Sequence, residues 1–263
     1  MKTSIQIKDI ELHCGDCFDV MPTIPDGSIN LCLTDLPYGV LNQKNKDAQW
    51  DKEIDLDQMW NQLLRICAPD AAIVLFGQGL FSAKLMMSQP KLYRYSLIWD
   101  KVNRPTGFLD AKRRTLRIHE DILVFYRKQP TYNPQMSIGN KNHSRGKIAS
   151  RETGCKNRCY GDFRLTETEF TNEKYPTSIL SFEKEYPSQY HPTQKSVSVL
   201  EYLIRTYSNV GDAVLDFTMG SGSTMVACAN AGRRGIGIEM CEEYYNIAVE
   251  RVKRIVAQPR LDI

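Results

Sequence analysis

Apolar positions along this chain recur with two different periods, and the places where one period gives way to the other mark the elements. Residues 5–12 alternate between apolar and polar and then meet Gly15-Asp16, which predicts a strand closed by a turn. Residues 29–34 form a second, more continuously apolar strand. It stops at Asp35-Leu36-Pro37-Tyr38-Gly39, because proline and glycine end regular structure. The polar stretch 40–52 predicts a loop beside Asp35, and the spacing of Leu56, Met59, Trp60, Leu63, Leu64 and Cys67 predicts a helix over 54–67. A short, wholly apolar strand follows at 71–76, of the kind buried on both faces, and then a helix at 81–88. Two strands, 93–101 and 119–127, flank the loop 103–117. After a long irregular stretch the pattern resumes as helix 197–207, strand 213–217, helix 223–231, strand 235–239 and helix 242–255.

Apolar strands separated by helices argue an α/β sheet, and the pair 93–101 and 119–127, joined without a helix, argues an antiparallel end to it. The residues from 128 to 190 are rich in Asn, Gly, Lys, Arg, Thr and Tyr and show only a brief alternation at 175–182. A stretch of that length without regular elements is uncommon in a compact domain unless it has a task. It therefore reads as a recognition insert between a first half, 1–127, and a second half, 191–263.

Composition adds little until its distribution is considered. The 263 residues are 42% hydrophobic and 25% charged, and the formal net charge is only +3. Residues 101–158, however, carry 14 Lys and Arg against 4 Asp and Glu. A segregated basic segment in a nearly neutral chain is the electrostatic footprint of a polyanion binder. Arg113, Arg114, Arg117, Lys141, Arg145, Lys147, Arg151 and Arg158 are the candidates for contact with phosphates or base edges. No apolar run approaches the length that spans a bilayer, and the N-terminus leads into no apolar signal segment, so no membrane role and a cytoplasmic location are expected. The eight cysteines read as reduced thiols. Cys14 with Cys17 and Cys155 with Cys159 have spacings a zinc ion could use, but nothing else unites them, and no metal is expected.

The strongest ligand signal is the run from Val214 to Thr224, where an apolar strand enters the turn Gly220-Ser221-Gly222 and then a helix. Glycines there let the backbone approach a nucleotide closely. Glu239, ending the next strand 23 residues after Asp216, stands where an acid can accept from ribose hydroxyls. A nicotinamide dinucleotide would use the same grammar, but its pattern wants a further small residue where Met225 stands. A carboxylate at Asp216 also suits a cationic ligand better than a pyrophosphate, and S-adenosylmethionine fits. The second signal is Asp35-Leu36-Pro37-Tyr38. Pro37 restricts Leu36 to extended conformations, fixing its carbonyl beside the Asp35 carboxylate. Two acceptors and an aromatic ring could hold an exocyclic amino group of a base taken out of its stack.

With both signals placed, the chain resembles the β class of S-adenosylmethionine-dependent DNA amino-methyltransferases. Asp35-Leu36-Pro37-Tyr38 is similar to the family's Asp-Pro-Pro-Tyr motif, Asp216 to Thr224 to its cofactor loop, and His191-Pro192-Thr193-Gln194-Lys195 to the motif preceding that loop. The resemblance implies a Rossmann-like fold with a mixed seven-stranded sheet, helices on both faces and the circularly permuted motif order of that class. It implies Asp35, Leu36, Pro37 and Tyr38 as the catalytic turn, and Asp216, Phe217, Gly220, Gly222, Thr224 and Glu239 as cofactor contacts. Asp16 is implied near the adenine, and Gln194 and Lys195 near the methionine end. Duplex DNA is the implied substrate, with adenine N6 favoured over cytosine N4 by the acid that opens the tetrapeptide. A homodimer and a cognate restriction enzyme are the partners it suggests. Two positions depart from the pattern: Leu36 replaces a proline, and Ser196 stands where proline usually follows the lysine, a position from which serine is expected to cap the next helix.

Overall fold

The structure, a computed structural model, describes residues 3–39, 51–140, 172–184, 190 and 194–258. The chain forms two compact units, Met1–Asn133 together with Ser178–Ile263, and Pro134–Thr177. In the larger unit the chain runs β1 (Thr3–Ile7), β2 (Ile10–Cys14), the short α1 (Cys17–Val20), β3 (Ile29–Asp35), α2 (Leu56–Ile66), β4 (Cys67–Gly77), α3 (Leu80–Ser88), β5 (Tyr93–Asp100) and β6 (His119–Phe125). In the smaller unit β7 (Ser137–Ile138) pairs antiparallel with β8 (Glu173–Lys174). The larger unit then continues with β9 (Ile179–Ser181), α4 (Val197–Tyr207), β10 (Ala213–Asp216), α5 (Ser223–Ala231), β11 (Arg234–Glu239) and α6 (Glu242–Ala257).

The sheet order is β1-β2-β11-β10-β3-β4-β6-β5-β9, nine strands among the described residues where seven were expected. Both additional strands lie at edges. The first comes from the stretch read as one strand over 5–12, which is instead a hairpin pairing Ile7 with Ile10. Its turn is made at Lys8-Asp9, with Lys8 at φ 49°, so no glycine announces it. The second is β9, from the brief alternation inside the expected insert, which pairs parallel with β5.

Strands β2, β11, β10, β3 and β4 are mutually parallel, and β6 is antiparallel to both β4 and β5. Side-chain alternation divides the core between the two faces. Leu31, Leu33, Ala72, Val74 and Val214 pack with α4, α5 and α6, whereas Cys32, Ala71, Ile73, Leu75 and Leu215 pack with α2 and α3. Helix α2 illustrates the local logic: Asp55 caps it by accepting from the Gln58 amide at 3.0 Å, and Met59, Trp60, Leu63 and Ile66 form its buried stripe. The connection from β3 leads to β4 on one side, and that from β10 leads to β11 on the other. The boundary between β3 and β10 is therefore the point where strand order reverses, and ligands of open α/β sheets bind beyond the carboxyl ends of strands at such a point.

A candidate methyl-transfer site at the reversal of strand order

Two acids end the two strands at that reversal, Asp35 on β3 and Asp216 on β10. A bridge of hydroxyls ties them together. Thr34 Oγ1 donates to Asp216 Oδ1 at 2.7 Å and lies 2.6 Å from Thr218 Oγ1, and Thr218 Oγ1 in turn donates to the Asp35 carbonyl at 3.0 Å. The Thr218 amide also donates to Asp216 Oδ1, at 3.2 Å. One cluster thus fixes both strand ends with respect to each other. A cavity of about 750 Å³ opens over them.

Asp16, Asp216, Phe217, Gly220, Thr224 and Glu239 line this cavity together with Asp35, Leu36, Pro37 and Tyr38. Glu239 is held at both oxygens, accepting from the Gly220 amide at 2.9 Å and the Cys241 amide at 2.8 Å. Each oxygen keeps a lone pair for a further donor. Asp16 caps α1 through the Phe18 amide, at 2.8 Å, and the Gly15 amide donates to the Glu239 carbonyl, so the first turn of the chain is pinned beside the end of β11. Gly222 is the one sequence-predicted cofactor residue that does not line the cavity. Its φ is 78°, and a side chain there would put its Cβ 2.7 Å from that of Ala248, so glycine lets α6 pack flush against the start of α5.

Gln194 and Lys195 line the same cavity from the segment ahead of α4. Lys195 is ion-paired with Asp35 Oδ2, and its Nζ lies 3.1 Å from Glu120 Oε2. Glu120 is paired through its other oxygen with Lys101, which is 2% exposed. A chain of alternating charge, Lys101, Glu120, Lys195, Asp35, therefore runs into the site and ends at Tyr38, whose hydroxyl donates to Asp35 Oδ1 at 2.9 Å. The Tyr38 ring packs on Phe81 with centroids 4.7 Å apart. Burial raises the Asp35 carboxyl above the ordinary range, Lys195 opposing and Glu120 reinforcing the shift. Burial would raise Glu120 as well, but the two lysines outweigh it and hold this carboxyl at about 2.

Sequence reasoning missed Lys101 as a site residue and read His119-Glu120, which could lie near the target base, as a plain strand start. The structure places Glu120 at the head of β6, with Trp99 of β5 opposite it. Ser196 takes the N-cap position of α4, but its Oγ is buried and makes no hydrogen bond, so the expected side-chain cap is absent. Among the DNA candidates, Arg113 and Arg114 are exposed, with Arg114 paired to Asp110 at 2.6 Å, and Arg117 is partly buried. Lys141, Arg145, Lys147, Arg151 and Arg158 lie outside the described residues, as do His191, Pro192, Thr193, Cys155 and Cys159. Among the described residues no group of side chains could hold a metal ion, and no helix is long and apolar enough to cross a membrane.

Acids at the reversal point, a glycine turn into α5 and a carboxylate closing the next strand make this a Rossmann-like fold of the S-adenosylmethionine-dependent methyltransferase class. The chain belongs to the DNA methylase family of N6 and N4 amino-methyltransferases, whose family model matches residues 29–250. Among curated relatives, the DNA adenine methyltransferase YhdJ of Escherichia coli K12 is 24% identical over 255 residues, covering 90% of this chain and 81% of that protein. Among solved structures, the M1.HpyAVI complex with S-adenosylmethionine superimposes with a TM-score of 0.60 at 22% identity, covering 92% of this chain and 98% of the other. The cytosine-N4-specific PvuII DNA methyltransferase does so with a TM-score of 0.65 at 14% identity, covering 94% and 91%.

The residues present fit S-adenosylmethionine. The cavity has the volume of a small-molecule site, and its carboxylates offer acceptors for ribose hydroxyls and negative charge for a sulfonium and an ammonium. Burial lifts the Asp216 carboxyl to about 6, against hydrogen bonds from Thr224, Thr34 and the Thr218 amide. The folded protein then binds more protons than the unfolded chain between pH 4 and pH 6, approximately, so this group's contribution to stability falls by about 3 kcal/mol as pH rises through that window. A cationic ligand favours the ionised form. Cofactor affinity is therefore expected to rise about tenfold from pH 5 to pH 7, with Asp216→Asn flattening that dependence in calorimetric titrations. A dependence unchanged in the variant would assign the titration to another group.

Proposed function

We propose that this protein methylates the exocyclic N6 of adenine in duplex DNA, at a base rotated out of the helix. The observation that supports this most strongly is the convergence of Asp35 and Leu36 on the cavity that Asp216 and Glu239 also line. An exocyclic amino nitrogen shares its lone pair with the ring and is a weak nucleophile. Hydrogen bonds from that nitrogen to Asp35 and to the Leu36 carbonyl favour the pyramidal nitrogen and strengthen as positive charge develops on it. S-adenosylmethionine supplies an electrophilic methyl group. The chain's own contribution is to hold the nitrogen in line, to keep Asp35 ionised through Lys195, and to present Tyr38 to the base.

The halves 1–127 and 191–263 are taken as the catalytic and cofactor-binding parts, with 128–190 as the target-recognition insert. The basic residues, with Arg113, Arg114 and Arg117 among those described, would meet the phosphates. A cytoplasmic location, a second copy of the chain and a cognate restriction enzyme complete the reading that the family suggests. Labelled methyl transfer to unmethylated duplex DNA, followed by nucleoside mass spectrometry, tests it. N6-methyladenine is expected. N4-methylcytosine without N6-methyladenine would move the protein to the other branch of its family.

A further inference from the structure

The loop between β5 and β6 is a built structure rather than a slack connection. Thr106 and Arg117 exchange backbone hydrogen bonds of 2.7 and 3.1 Å, and the Lys101 amide donates to the Ile118 carbonyl at 2.9 Å, so its two arms are paired. At its tip Gly107, at φ 91°, starts a turn of 3-10 helix over Phe108–Asp110, and the amides of Asp110, Ala111, Arg113 and Arg114 are all bonded within the tip. The turn displays two large apolar side chains to solvent, Phe108 at 66% and Leu109 at 103% exposure. Lys112 and Arg113 stand exposed beside them. Thr106, in the arm of the same loop, lines the catalytic cavity, and Phe108 follows only two residues later, a reach of about 7 Å in extended chain.

An ordered loop has no folding reason to hold a phenylalanine and a leucine in water, and adjacent cations select a polyanionic partner whose interior is apolar. Duplex DNA meets that description, since its base steps lie between two rows of phosphates. We propose that Phe108 and Leu109 are a wedge that enters the base stack next to the target and holds open the gap left when the base turns into the cavity. This rests on the reading of the protein as a base-flipping DNA methyltransferase. The wedge is a positioning element: it touches the neighbouring bases, and it acts on the reaction by lowering the cost of unstacking.

The test uses the full chain and two duplexes carrying a site mapped from the methylated product. One duplex is fully matched, and the other has an abasic position opposite the target base, so that the target is already unpaired. With Phe108→Ala/Leu109→Ala, kcat/KM is expected to fall about 10- to 100-fold on the matched duplex and to return to within a few-fold of wild type on the abasic one. Phe108→Leu should retain most activity on both. An equal loss on both duplexes would make the loop a mere affinity contact, and no loss on either would make the exposed pair idle, so each of these results overturns the wedge. If the wild type methylates neither duplex, the proposed function fails, and the wedge with it. Because both side chains are exposed, loss of fold is not expected, and unchanged cofactor binding checks it.

Discussion

Asp35→Ala is expected to reduce methyl transfer by about a thousandfold while leaving cofactor affinity within a few-fold of wild type. Removing a single preorganised hydrogen-bonding partner of a transition state costs about 10²–10³ in rate, and Asp35 adds to this the negative charge that compensates a developing cation. The cofactor side should survive for a specific structural reason. What ties the end of β3 to the glycine turn is the hydrogen bond from Thr218 Oγ1 to the Asp35 backbone carbonyl, at 3.0 Å, which alanine keeps. The Lys195 ammonium also keeps a partner in Glu120, at 3.1 Å, so the substitution does not strand a buried charge. Single-turnover transfer to DNA and calorimetry with S-adenosylmethionine measure the two quantities separately. Loss of both would mean that Asp35 supports the cavity as a whole and is not dedicated to the amino group.

The parts of this site legible in the sequence are those carried by a strand end and its following turn. Asp35 and Asp216 could be placed because apolar strands lead into them, and Glu239 because it closes the next strand in a βαβ unit. Helix α4 begins and ends where its spacing says it should, and α5 follows the glycine turn over the range expected of it. What stayed hidden depended on pairing across the chain. Lys195 reaches Asp35 over a separation of 160 residues, and a buried Lys101 has the same letter code as the solvated lysines around it. Its partner Glu120 is recognisable as one only after the antiparallel register of β5 and β6 brings them together. The hairpin at Lys8-Asp9 was missed for a different reason: a left-handed lysine carries no glycine signature. Likewise β9 was absorbed into an irregular stretch, because the brief alternation at 175–182 that contains its three residues is too short to set a strand apart from the insert around it.

The charge chain hidden from the sequence leads to the second large effect. In the structure Lys195 contacts the very carboxylate proposed to receive the target amino group, and burial and Glu120 both push that carboxylate toward its protonated form. Lys195 is the opposing charge. A cation within ion-pairing distance lowers a carboxylate pKa by about 1–3 units, so Lys195→Met should raise the Asp35 pKa by an amount of that order. The sign follows directly: the active form is ionised Asp35, so the acid limb of the kcat profile moves to higher pH. At a pH on that limb, transfer is expected to drop about tenfold for each unit the limb moves and to recover at higher pH. Glu120→Gln should act in the opposite direction, because it removes the negative charge that raises Asp35 and leaves Lys195 paired to Asp35 alone. Its acid limb should move to lower pH, and the pair of variants thus separates an electrostatic role from a packing one. If Lys195→Met lowered kcat at every pH without moving the limb, and weakened S-adenosylmethionine binding instead, Lys195 would belong to the methionine end of the cofactor and not to the ionisation of Asp35.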